Sequence, residues 1–118
     1  MLTIRDAQIE VLRDALERDF LRRAESELQR LLPEQCALVG DELSDLVRHA
    51  YDRASGYDLT RDYDILRFIN LTFALGPGFD VDLPWAAELF GRTDLDPKTR
   101  IDLVDQQATI ELNREGAQ

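Results

Sequence analysis

Three groups of side chains in this chain have types and spacings that invite a chemical reading. Cys36 and His49 lie thirteen residues apart and would form a thiol–imidazole pair if the fold brought them together. A nucleophilic thiol needs a depressed pKa and a nearby base. No sequence motif surrounds either residue, so Cys36 reads as a small buried residue and His49 as a surface or structural one. His49 is the sole histidine and lacks a Cys or His at ligand spacing, which argues against a zinc site. The acid pairs Asp62/Asp64 and Asp80/Asp82 raise a calcium loop or a carboxylate dyad. A calcium loop requires regular oxygen ligands, a central Gly and a terminal Glu, and Phe79–Trp85 lacks them. A glycosidase-like dyad requires a cleft in a larger fold. Asp62 and Asp64 are better explained as first-turn acids favoured by a helix dipole. Gly76-Pro77-Gly78 lacks the Lys and Ser/Thr of a phosphate loop and reads as a helix stop. The sequence therefore predicts no catalytic residue, metal or cofactor.

The elements that would position these residues are helices. Thr3 with Asp6 resembles a capping box and starts a helix that Pro33 ends at about Leu32. Its apolar face is Ile9, Leu12, Leu16, Phe20, Ala24, Leu28 and Leu31, at steps of three and four. Asp14/Arg18 and Asp19/Arg23 lie on the other face at i,i+4, each pair adding about 0.3 kcal/mol to a helix. Glu34–Val39 is a short helical turn closed by Gly40. Asp41 is the expected cap of a second long helix with Leu43, Leu46, Val47, Ala50, Tyr51 and Ala54 on one face, and Gly56 its left-handed C′ residue. Thr60 caps the next helix, 61–75, whose apolar residues Ile65, Leu66, Phe68, Ile69, Leu71, Phe73 and Leu75 surround the axis. Such a helix is central and buried, and its Asn70 and Thr72 need hydrogen-bond partners. Gly76 stops it.

The next segment is the most specific in the chain. An aromatic and acidic loop, Phe79-Asp80-Val81-Asp82, precedes Leu83-Pro84-Trp85, where Pro84 suits the first position of a short helix ending at Gly91. Trp85 and Phe90 are candidate plugs of this corner, and Phe79 is open between core and partner contact. Asp96-Pro97 opens a last helix through Ile101, Val104, Ala108 and Leu112, with a frayed tail from Asn113.

The chain has 118 residues, 44 % of them hydrophobic, which suits one folded domain with one modest core. With 24 acidic and 14 basic side chains the net charge is −10. Nucleic-acid binding and docking on an anionic membrane are disfavoured, because both require clustered Lys and Arg. A basic protein partner would be attracted. The charge is uneven: residues 1–33 hold six Arg against seven acids. Nine of the ten net negative charges therefore lie beyond residue 33. A single cysteine precludes an intramolecular disulfide. Together with the absence of a signal-like or membrane-spanning stretch, this gives a cytoplasmic expectation.

Three segments together carry a family resemblance. They are Met1–Phe20, Leu31–Leu43 and Arg67–Phe90, with Arg5-Asp6-Ala7-Gln8, Pro33-Glu34-Gln35-Cys36 and Phe73–Trp85 as the matching features. The chain resembles, over roughly residues 1–104, small helical accessory proteins encoded in type VI secretion effector clusters of Gram-negative bacteria. Their neighbours include PAAR spike-tip proteins, chaperones, toxins and immunity proteins. The matching motifs are packing motifs, and Asp105–Gln118 has no counterpart. The resemblance implies a non-enzymatic, co-chaperone-like protein that binds an effector, its chaperone or the PAAR tip. The alternative is an immunity protein that neutralises a cognate toxin. The expected fold is all-α, a compact irregular bundle of about five helices in one domain. The expected contact residues are Tyr57, Asp58, Phe79, Asp80 and Asp82. The near-neutral first helix also offers a homodimer seam.

Overall fold

The computed structural model describes the backbone of residues 4–116 and the side chains of residues 8–114. All regular structure among them is helical. The order is α1 (Ile4–Leu31), α2 (Pro33–Val39), a 3-10 turn (Gly40–Glu42), α3 (Leu43–Gly56), α4 (Asp62–Leu75), α5 (Phe79–Asp82), α6 (Pro84–Phe90) and α7 (Pro97–Gly116). This is the expected all-α bundle. Among the described residues no helix is long and apolar enough to cross a membrane.

Helices α3 and α4 share the most extensive interface and form the centre, with α1 packed on α3 and α7 on α4 and α6. Helix α4 is apolar around its axis because several neighbours cover it. Phe68 and Ile69 are fully buried, and so are Val47 and Ala50 of α3 and Ile101 and Val104 of α7. Thr72 resolves its buried hydroxyl locally, donating to the carbonyl of Phe68 at 2.9 Å. Asn70 is only half-buried. Arg67 ties α4 to α7: its two terminal nitrogens donate to Asp102 at 2.5 Å and Asp105 at 3.1 Å.

Proline and glycine punctuation falls where local chemistry demands it. Pro33 occupies the first turn of α2. Gly76 stops α4 at φ 115°, a backbone conformation open to Gly and closed to side chains with a Cβ. Asp96 accepts the Thr99 N–H at 2.7 Å and so caps α7.

Several boundaries differ from expectation. Asp41 does not cap α3; it lies inside the 3-10 turn, whose tighter backbone leads straight into the helix. Gly56 is the last residue of α3, and the left-handed residue is Asp58, at φ 64°. Asp58 N–H bonds to Ser55 O and Leu59 N–H to Ala54 O, a Schellman closure. The buried side chains of Ala54 and Leu59 seal it. Thr60 does not cap α4; Arg61 precedes it in extended conformation without a side-chain cap. Helix α7 runs past Asn113 to Gly116, so residues 113–116 are helical where a frayed tail was expected. The Thr3/Asp6 capping box falls outside the described side chains. Arg23 pairs with Asp19 at 3.2 Å. Among the described ion pairs Asp14 and Arg18 do not appear together.

The apolar stripe of α1 is divided. Phe20, Ala24 and Leu28 are buried in the bundle, whereas Ile9, Leu12 and Leu16 are 47 %, 59 % and 61 % exposed. The amino-terminal half of this helix extends past the body. The radius of gyration, 16.0 Å, accordingly exceeds the roughly 13–14 Å of an equally long sphere-like domain.

Candidate functional site

The Arg67–Trp85 segment folds into the corner of the bundle where α4 ends and α5 and α6 turn back. The expected loop Phe79–Asp82 is instead one turn of helix. Its carbonyl and amide groups close locally: Asp82 N–H bonds to Gly78 O at 2.8 Å and Leu83 N–H to Phe79 O at 3.2 Å. Helical spacing then turns Phe79 and Asp80 inward and Val81 and Asp82 outward. Phe79 is 2 % exposed and Asp80 1 %, while Val81 is 59 % exposed.

Phe79 and Asp80 are therefore not contact residues. Phe79 joins a buried aromatic group with Phe68 at its centre: the ring centroids of Tyr57, Phe79 and Phe90 lie 5.9, 5.3 and 5.7 Å from that of Phe68. Tyr57 stacks on Phe90 at 4.4 Å. Tilted and edge-on pairs of this kind each add about 0.5–1.5 kcal/mol beyond area burial.

Asp80 is the polar centre of the corner. It accepts a bidentate hydrogen bond from Arg53 of α3 and a third from the Tyr57 hydroxyl at 2.5 Å. The carboxylate is thus removed from water yet fully partnered, which is the condition for tolerating a buried charge. The Asp80 contact holds the Arg53 guanidinium above its usual range. Burial, followed by the Asp80 hydrogen bond, pushes Tyr57 up to about 12.

A pH dependence follows. Tyr57 is protonated more strongly in the folded chain than in the unfolded one, whose tyrosines ionise near pH 10. Its contribution to stability is complete below pH ~10 and is lost as pH rises through about 12. In an ultraviolet alkaline titration Tyr57 is the tyrosine expected to ionise last, and Tyr57→Phe should remove that late step. An alkaline titration curve unchanged by Tyr57→Phe would contradict the Asp80 contact.

Of the expected site residues, Asp58 and Asp82 are exposed and Tyr57 is half-buried. Tyr57 donates its hydroxyl to Asp80, completing an Arg53–Asp80–Tyr57 pin, and so acts as support. Asp58, Val81 and Asp82 face solvent and Trp85 is half-buried; Asp58 lines a concavity with Asp96, Pro97 and Lys98 at the start of α7. Asp80 and Asp82 do not act as a pair, because residues two apart on a helix point to different sides. Among the described residues no group of three His, Cys, Asp or Glu side chains is placed to hold a metal ion.

Comparison with protein-family models, with curated proteins and with solved structures gives no match.

The remaining reactive side chains stay apart. Cys36 is buried and burial pushes its thiol up, opposite to what a nucleophile needs. His49 is exposed on α3. A concavity of about 210 Å³ between α2, α3 and the end of α4 is lined by Leu38, Val39, Leu46 and Phe73 and contains no titratable side chain. Sequence reasoning missed Arg53, which holds the corner together. The local signal was its i,i+4 spacing to Tyr57; the decisive partner, Asp80, is 27 positions away.

Proposed function

We propose that this protein is a non-catalytic accessory factor that presents a rigid acidic corner to a basic protein partner. The observation that carries this reading is the Arg53–Asp80–Tyr57 pin. It fixes α5, whose Val81 and Asp82 face solvent, to the end of α3, where exposed Asp58 follows Tyr57. A pre-ordered surface loses little conformational entropy on binding. The net charge of −10, concentrated beyond residue 33, steers a basic partner towards it. The resemblance to type VI secretion accessory proteins names the partner class: an effector, its chaperone or the PAAR tip, which this protein helps to load.

Capture of bound proteins from the native host, followed by mass spectrometry, tests the reading. An effector chaperone, with or without the PAAR protein, is the expected catch. Asp58→Lys with Asp82→Lys should slow association roughly 10-fold and flatten its salt dependence while leaving the melt unchanged. Unaltered association would remove this corner from the interface. Recovery of a toxin alone, together with rescue of toxin-expressing cells, would make the protein an immunity factor.

A further inference from the structure

The concavity between α2, α3 and the end of α4 is apolar inside and acidic around. Leu38 stands at its lip, 88 % exposed, and Val39, Leu46 and Phe73 are half-buried along its walls. Buried Thr72 also lines it, but its hydroxyl is engaged with the Phe68 carbonyl, which leaves Gln35 as the remaining polar side chain. Its volume, about 210 Å³, falls below the roughly 300–1,000 Å³ of small-molecule sites and suits the side chains that a protein partner inserts. The two stretches that build it, 31–47 and 68–79, hold Glu34, Asp41, Glu42 and Asp45 and not one Lys, Arg or His. All four acids are exposed. Glu34 precedes Leu38 by one turn of α2, and Glu42 precedes Leu46 by one turn where the 3-10 turn runs into α3. Each of these acids therefore shares a helix face with a groove leucine. The flanking cations Arg30, Arg48 and Arg53 are engaged with Glu27, Glu17 and Asp80.

We propose that this groove docks a basic amphipathic helix of a partner protein. One or two apolar side chains of that helix seat against Leu38, Leu46 and Phe73, and its Lys or Arg residues lie over Glu34 and Glu42. Charge selects this occupant. A second copy of the chain, at −10, is repelled, and the same four acids keep the apolar lip off an anionic membrane. A cationic segment is attracted by the field, and burial of its apolar face then holds it. The form of the segment follows from the walls. All regular structure among the described residues is helical, so there is no strand edge for an extended peptide to join; two helices with a groove between them receive a third helix through side chains spaced three and four apart. The proposal deepens the accessory reading and rests on it, since both require a basic protein partner. It assigns a surface other than the α5 corner and names the segment that fills it.

Fluorescence polarisation of the full chain with a labelled peptide of about 18 residues, leucine along one helix face and lysine elsewhere, tests this. Saturable binding at roughly 10–100 µM is expected at physiological salt. Leu38→Ser should weaken it ~10-fold or more and leave the melt unchanged, because Leu38 is almost fully exposed. Glu34→Lys with Glu42→Lys should weaken it about 10-fold and flatten its salt dependence. A second peptide with serine in place of leucine keeps every charge and should bind ~10-fold more weakly or worse. Equal binding of the serine peptide, or indifference to Leu38→Ser, means that charge alone acts and overturns the proposal. So does a leucine–lysine peptide that fails to bind. Loss confined to Asp58→Lys with Asp82→Lys moves the peptide to the corner: the accessory reading then stands and the groove does not. A dimer in sedimentation equilibrium that Leu38→Ser abolishes gives the groove to a second copy and likewise overturns it. The accessory reading itself fails by a separate route, when host proteins associate regardless of the corner charges.

Discussion

Replacing Ile69 with Asp unfolds the protein. Ile69 is fully buried in α4, the helix that α1, α3, α5 and α7 all cover. The substitution removes about 1.5–3 kcal/mol of apolar burial. It also places a carboxyl group among side chains that offer no partner, at several kcal/mol more. A domain of this size holds about 5–15 kcal/mol in total. Circular dichroism should show lost helix and no cooperative melt. Ile110→Asp is the control: Ile110 is 46 % exposed on α7, and a surface change of this kind stays within ~0.5 kcal/mol. A cooperative Ile69→Asp melt near that of the native chain would contradict the central position of α4.

The second large effect belongs to Asp80→Ala. The change leaves the Arg53 guanidinium without its bidentate acceptor and the Tyr57 hydroxyl without its own. Breaking a buried pair by removing one member costs about 3–5 kcal/mol. Arg53 keeps 29 % of its side chain exposed, so water recovers part of that, and about 2–4 kcal/mol is expected. The melting temperature should drop by roughly 10 °C. Replacing both partners together, Asp80→Leu with Arg53→Met, should recover most of the loss, because no charge is then left buried alone. A melt within ~2 °C of the native one for Asp80→Ala would mean that the pin does not hold the corner. The same variant should weaken partner capture only through disorder of α5, since Asp80 itself does not reach the surface.

These two residues illustrate different degrees of legibility. Ile69 was readable as core from its neighbours alone, because apolar residues on every side of one helix leave no face for water. Asp80 was readable only as an acid in a Gly- and Pro-bounded segment. Its burial depends on Arg53 arriving from another helix, and no spacing rule connects two residues 27 apart.

The sequence by itself determined the helical class, most of the breaks and the central helix. Pro33, Gly76, Gly91 and the Asp96-Pro97 cap act through bonds and clashes within about four residues, so their effect is independent of the rest of the chain. Periodicity of apolar side chains is equally local. Tertiary structure alone decided which parts of those faces are covered. The stripe from Ile9 to Leu28 is uniform in sequence, yet its second half is core and its first half bare, because α3 and α4 reach α1 only from about Glu17 onward. Phe79 and Asp80 passed from expected contact to interior for the same reason: one helical turn set their direction, and the aromatic rings and Arg53 already stood on that side. Where a side chain points is local chemistry; what it meets there depends on how the distant helices pack.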